Sequence, residues 1–159
     1  MNSYMQKKDG WCGPAALSFA LSKVGIDVAQ EKIAKDTGVD KNGVDPDPLA
    51  KAARSYGAQA EMMSGENADK TLKELSGHVK MGHSVLVDYL VSGEKDGGHY
   101  VCFLGMNGNH VRIFDPSEGG GKREMDRTYF VQNWRDRTEG GKVMKNWAMI
   151  VSVNGDTNE

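Results

Sequence analysis

The stretch QKKDGWCGPAALSFALSKVG, residues 6–25, decides how this chain is read. From Cys12 to Val24 the apolar residues Ala16, Leu17, Ala20, Leu21 and Val24 recur at helical steps, and Gly25 follows where a left-handed cap closes a helix. Pro14 has no N–H to donate and fits only a first turn, so the helix starts within a residue or two of Cys12. The thiol is thereby expected at a helix N-terminus, where unpaired backbone N–H groups and the helix dipole favour an anion.

Further helices are expected on either side of the proline-rich stretch DPDP. Asp27 and Gln30 have capping-box spacing for a helix running to Asp36 and closed by Gly38. After DPDP, with Asp45 or Asp47 as cap, LAKAARSY runs to a stop at Gly57. Residues 67–81 carry Leu72, Leu75 and Val79 at helical steps, weakened by Gly77. The second half then changes period. Residues 84–90, 99–105, 111–115 and 147–153 are short, rich in β-branched and aromatic residues and separated by Gly, Asn and Asp, which predicts strands. A helical piece near 126–134 separates the last two, and 91–98, 116–124 and 136–146 read as polar or glycine-rich loops. Helices followed by an antiparallel sheet make an α+β class, with residues 1–155 as one domain and 156–159 as a polar tail.

Composition narrows the function. The 20 Lys and Arg nearly cancel the 22 Asp and Glu, with no block of one sign, so neither nucleic acid nor an anionic membrane is an expected partner. No apolar run reaches the length of a membrane span, and MNSYMQKKDG lacks the apolar middle of a secretory signal; a cytoplasmic location is expected, with export by a route without a signal peptide left open. Cys12 and Cys102 are too few for a disulfide framework and form no C-x-x-C zinc unit. The run DTGVDKNGVDPDP fails as an EF-hand, because Gly43 at the sixth loop position puts Gly38 first and Leu49 twelfth. His99 and Cys102, three steps apart on a strand, point to opposite sides. No cofactor and no metal are expected.

A thiol at a helix N-terminus beside an imidazolium has its pKa lowered to roughly 3.5–7.5. Of the four histidines, His99 opens a strongly apolar strand after Gly97-Gly98, whereas His78, His83 and His110 read as exposed or backbone-satisfied. On HYVCFLG the residues His99, Val101 and Phe103 share a face, and on HVRIFD so do Val111, Ile113 and Asp115. These odd faces are apolar with one polar residue each, and are expected to pack on the first helix. A two-residue Asn107-Gly108 turn would split His99 from Asp115, whereas a three-residue loop from Met106 to Gly108 pairs them directly, and the apolar parity favours the second. Asp115 then accepts a hydrogen bond from the Nδ1–H of His99 and turns the other ring nitrogen to Cys12. The Cys12 N–H and the side-chain amide of Gln6, six residues upstream, are the candidate oxyanion donors, one such donor being worth about 3–4 kcal/mol of barrier.

With these residues in place the chain resembles the bacteriocin-type double-glycine leader peptidases of the papain-like superfamily. The likeness rests on Q-x5-C-G (Gln6, Cys12, Gly13), G-H-Y-V (Gly98 to Val101), the V-x-I-x-D-P strand ending at Asp115-Pro116, and F-x3-W (Phe130, Trp134). It implies a papain-like fold, a helical N-terminal half whose central nucleophile helix packs on a C-terminal antiparallel sheet, and cysteine peptidase activity on a peptide or protein substrate. In that family such domains cut after Gly-Gly in a leader, often within an ABC exporter. This chain carries neither membrane helices nor a nucleotide-binding domain, so association with an exporter and action as a stand-alone monomer are both compatible with it. Trp11, Gly98 and Trp134 are candidate substrate contacts, and Cys102 reads as a small core hydrophobe. The rival functions are an acyl or peptidyl transferase and a non-catalytic peptide-binding module on the same fold.

Overall fold

The order of elements follows from where the apolar period changes. In a computed structural model, which describes residues 4–90, 98–117 and 119–153, the helices α1 (Cys12–Lys23), α2 (Gln30–Thr37) and α3 (Pro46–Ser55) come first. They are followed by β1 (Gln59–Met63), α4 (Ala68–Lys80), β2 (Ser84–Tyr89), β3 (His99–Asn107), β4 (His110–Asp115), β5 (Gly121–Asp126), α5 (Arg127–Asn133), β6 (Arg135–Arg137), β7 (Val143–Lys145) and β8 (Ala148–Ser152). Six strands form one antiparallel sheet in the order β1-β8-β2-β3-β4-β5, and β6 and β7 pair in a hairpin of their own. The expected α+β class and papain-like architecture are what the chain adopts. Among the described residues no helix is long and apolar enough to cross a membrane. The polar tail foreseen at 156–159 and most of the loop 91–98 lie outside the described residues.

The sheet separates two cores. On one face α1 to α3 bury Leu17, Phe19, Leu21, Ile33 and Leu49 against Leu86, Tyr100, Cys102, Phe114 and Met149. On the other, α4, α5 and the Trp134 that follows it bury Leu72, Leu75, Phe130 and the indole against Val85, Val87, Val101, Phe103 and Ile113. The first helix therefore packs on the even face of β3 and β4, not on the odd face expected from the exposed character of Arg112 and His110. Those two residues are exposed while Phe114 of the same face stacks on Phe19, ring centroids 4.1 Å apart, and the buried Cys102 thiol donates to the Ala16 carbonyl at 3.1 Å. Gly13 permits this approach: a β-carbon there would lie 2.9 Å from Val44 and 3.3 Å from Tyr100.

The β3–β4 turn also differs from both expected forms. Asn107 pairs with His110 across a two-residue Gly108-Asn109 loop, with φ of +60° at Gly108, the pattern of a type II′ turn. Alone, that register would set His99 and Asp115 on opposite faces. An irregularity between Phe103 and Gly105 leaves Leu104 unpaired and shifts the ladder by one, so Phe103 meets Ile113 and Cys102 meets Phe114. The bulge restores the shared face by a different route.

Four weakly patterned segments, expected as loops or not assigned, are strands: β1, edge strand β5 and the short β6 and β7. The Asp27 capping box does not form either. Ala29 is the N-cap, and Gln30 is buried, accepting from the Lys7 N–H and donating to the Met5 carbonyl, which ties down the lead-in to α1. Asp45 is the N-cap of α3 without a side-chain cap bond, its carboxylate instead receiving the Glu139 N–H.

Candidate active site

Cys12 is the first residue of α1, His99 the first of β3 and Asp115 the last of β4, so all three stand where an element ends at one rim of the sheet. His99 Nε2 donates to Asp115 Oδ1 at 2.6 Å, and the Cys12 side chain is near enough to the ring to favour its charged form. The ring is thus turned the other way from expectation, with Nε2 on the carboxylate and Nδ1 left for sulfur. Continued past the Cys102–Phe114 pair, the ladder places His99 opposite position 117, so Asp115 lies on a diagonal from it.

Asp115 is 3 % exposed and fully engaged. Besides His99, Oδ1 receives the Ser117 N–H at 2.9 Å and the Ser117 hydroxyl at 2.7 Å, while Oδ2 receives Arg123 at 2.8 Å. The Asp-Pro-Ser turn is therefore real, and the same carboxylate that closes it also holds the imidazole. Burial works against its charge, but the bonds from His99 and Ser117 prevail and hold the Asp115 carboxyl below the usual carboxylate range. For His99 burial likewise opposes the charged form, and the bond to Asp115 and the nearby Cys12 side chain overcome it, raising the imidazole to about 9. Tyr89 closes one side of the ring edge-on, centroids 6.3 Å apart.

The lead-in is tied to this rim as well. The Gln6 N–H donates to the Pro116 carbonyl at 2.7 Å, one residue past Asp115. Its side-chain amide donates to the Lys8 carbonyl at 3.2 Å, which leaves one amide hydrogen free to point elsewhere.

The substrate-contact candidates separate. Trp11 is half-buried beside Cys12, with the Lys8 ammonium 5.2 Å from its ring centroid, and Gly98 precedes His99. Trp134 is 1 % exposed, packed at a tilt against Phe130, and gives its indole N–H to the Trp147 carbonyl at 2.9 Å; it has no surface to offer a ligand and is a core residue. His78 and His83 bond each other through their Nδ1 atoms at 2.9 Å, and His110 is exposed. Sequence reasoning passed over Ser117, Arg123 and Asp88. The first had a signal in the Asp-Pro-Ser turn and the last in being a lone acid within the apolar run SVLVDYL; Arg123 had none, because its strand is polar. Among the described residues no group of His, Cys, Asp and Glu is arranged to hold a metal.

Comparison with known proteins shows the family and the fold of the chain. The family model described as "Peptidase_C39 like family" matches residues 1–141. An uncharacterized protein of Methanothermobacter thermautotrophicus is 30 % identical over 131 residues, covering 81 % of this chain and 82 % of its own. Among solved structures, the peptidase domain of Streptococcus ComA, a bi-functional ABC transporter involved in a quorum sensing pathway, superposes with a TM-score of 0.75 at 18 % identity, covering 94 % of this chain and 96 % of that one. A double glycine motif protease from an AMS/PCAT transporter, solved in complex with the leader peptide, gives 0.72 at 22 % identity, covering 94 % and 89 %. At these identities the two structures speak for the shared fold.

Proposed function

The chain belongs to the peptidase C39-like family, and from that premise we propose that it hydrolyses a peptide bond through an acyl-enzyme formed on Cys12. The observation that carries this reading is the bond between His99 and Asp115, with the Cys12 side chain near enough to the ring to favour its charged form. In the first step Cys12 Sγ gives its proton to His99 Nδ1 and attacks the scissile carbonyl carbon, and the carbonyl π electrons move onto oxygen. The developing oxyanion is received by the Cys12 N–H at the start of α1 and by the free amide hydrogen of Gln6. As the tetrahedral centre collapses, His99 Nδ1 gives its proton to the departing amine and a thioester remains. Water then adds to the thioester, Nδ1 takes its proton, and collapse returns the sulfur and releases the acid. Asp115 stays ionised throughout and keeps the ring in one orientation.

The narrower role is cleavage after Gly-Gly in a leader-like segment. Two features support it: the likeness to a double glycine motif protease, and a cavity of about 710 Å³ that opens beside Asp45, where Met62, Met63, Val143, Met144 and Trp147 line an apolar part and Asp47, Ser64, Thr138 and Lys142 a polar one. The apolar part suits the apolar side chains of a peptide upstream of a small cleavage site. Mass spectrometry of a peptide library incubated with wild type and with Cys12→Ala tests both levels. Internal cleavage by wild type alone is expected, enriched after Gly-Gly. Peptides bound but uncut by wild type, with the same affinity for Cys12→Ala, would make the protein a binding module instead.

A further inference from the structure

Beneath His99 lies a carboxyl pair that the mechanism leaves unused. Asp88 of β2 is 2 % exposed, and its Oδ1 finds no hydrogen-bond donor among the described residues. What it meets is a second acid. A β-carbon added at Gly98 would overlap both Asp88 Oδ1 and Asp136 Oδ2, so the two oxygens crowd the same side of that glycine. The Asp88 carboxyl also receives the backbone N–H of His99. Two ionised carboxylates pressed together out of water repel, whereas one shared proton turns the contact into a strong O–H···O⁻ bond and removes the orphaned atom.

We propose that Asp88 is a neutral acid that donates its proton to Asp136, and that this clasp positions the active site by locking the β6–β7 hairpin onto Gly98 and fixing the backbone from which the His99 ring reaches Cys12. The inference deepens the peptidase reading and rests on it only for the role of Cys12 and His99. Asp88 and Asp136 are positioning residues, acting through Gly98 and His99.

The groups around the pair favour the retained proton. Burial acts first on Asp88, and the negative charge of Asp136 on β6 and the Cys12 sulfur from α1 push the same way, so its carboxyl titrates well above the carboxylate range; the His99 N–H acts in the opposite sense. Tyr100 of β3 lies beside Asp88, Cys12, Asp136 and Asp45, and gives its hydroxyl to the Val44 carbonyl. Arg135 and Arg137 flank Asp136 but are exposed on the alternate side of β6. A neutral Asp88 thus spares the nucleophile a second adjacent anion. It also accounts for Gly98, since any larger residue would part the two acids.

Infrared spectroscopy and the iodoacetamide labelling rate of Cys12, measured on the same variants, test the clasp. Wild type is expected to show a protonated-carboxyl C=O band at pH 7 that vanishes in Asp88→Asn, whose amide donates to Asp136 as the acid does. Labelling should fall about tenfold or more in Asp88→Leu, as misplacement of a catalytic group by an ångström does, and return to within about threefold of wild type in Asp88→Asn. Should Asp88→Leu not fold, Asp136→Ala, made at a half-exposed position, carries the same expected loss. A band that persists in Asp88→Asn, or an Asn variant labelled as slowly as the Leu one, overturns the proposal. Absence of the band with fast labelling sinks the clasp alone; the band with a wild-type thiol no faster than free cysteine sinks the peptidase reading and leaves the shared proton standing.

Discussion

The His99 imidazole is held by two partners of opposite duty, one that fixes it and one that reacts with its help. Because the Asp115 carboxylate supports the charged ring, Asp115→Asn should lower the His99 titration midpoint from about 9, read from imidazole resonances across a pH series. The sign follows from removing an anion beside a cation. An unmoved midpoint would mean that Asp115 does not govern the ring. Arg123 bonds the outer oxygen of Asp115 from a half-exposed position, so Arg123→Gln should cost only about two- to fivefold in kcat/KM. A loss of a hundredfold would instead place Arg123 on the substrate. At this scale Cys12, His99 and Asp115 were legible because each combines a reactive side chain with an element boundary marked by Gly or Pro. Which ring nitrogen faces which partner was not, nor was the register offset that a bulge sets. Asp88 was visible as a charge in an apolar strand, yet its partner was hidden in a three-residue strand with no apolar period.

The helix α1 positions the sulfur only as well as it seats on the sheet. Gly13→Ala would press a methyl group to 2.9 Å from Val44 and lift the start of the helix, so it should destabilise the fold by about 1–3 kcal/mol and depress kcat more than KM. Denaturant unfolding with steady-state kinetics checks both, and a variant with full activity would show that the seat has slack. Gly120 plays a similar part for Asp115, since a β-carbon there would come within 2.5 Å of the Asp115 carbonyl. Elements with a sustained period, α1, α3, α4, β2 and β8, were readable to within a few residues. Edge strand β5 buries only Met125, and β6 and β7 are three residues each, so burial imposes no alternation for a reader to find. The face that α1 covers was misread for a related reason. Arg112 and His110 mark the open end of β4, and a helix covers a patch of a sheet, not a whole strand face.

For the whole molecule, the same charges that prepare the site link its stability to pH. His99 binds its proton more tightly folded than unfolded, so its contribution is full below about 6.5, the ordinary imidazole value, and is lost as pH rises through about 9. Asp88, also raised, adds a loss of the same sign as pH rises. The melting temperature should therefore fall between pH 6.5 and 9, and His99→Gln should flatten that slope; calorimetry showing a flat wild-type profile would contradict the pairing. The two cores bracket one sheet, and the site stands at the rim where α1, β3 and β4 all end, which is how residues far apart in the chain come to act as one unit. The central claim is that His99 activates the Cys12 sulfur. Its most direct measurement is the rate of iodoacetamide modification at pH 6, with the site mapped by mass spectrometry. Cys12 should label faster than free cysteine, lose that advantage in His99→Ala, and leave Cys102 untouched. Labelling of Cys12 no faster than free cysteine, or unchanged without the imidazole, would contradict the account.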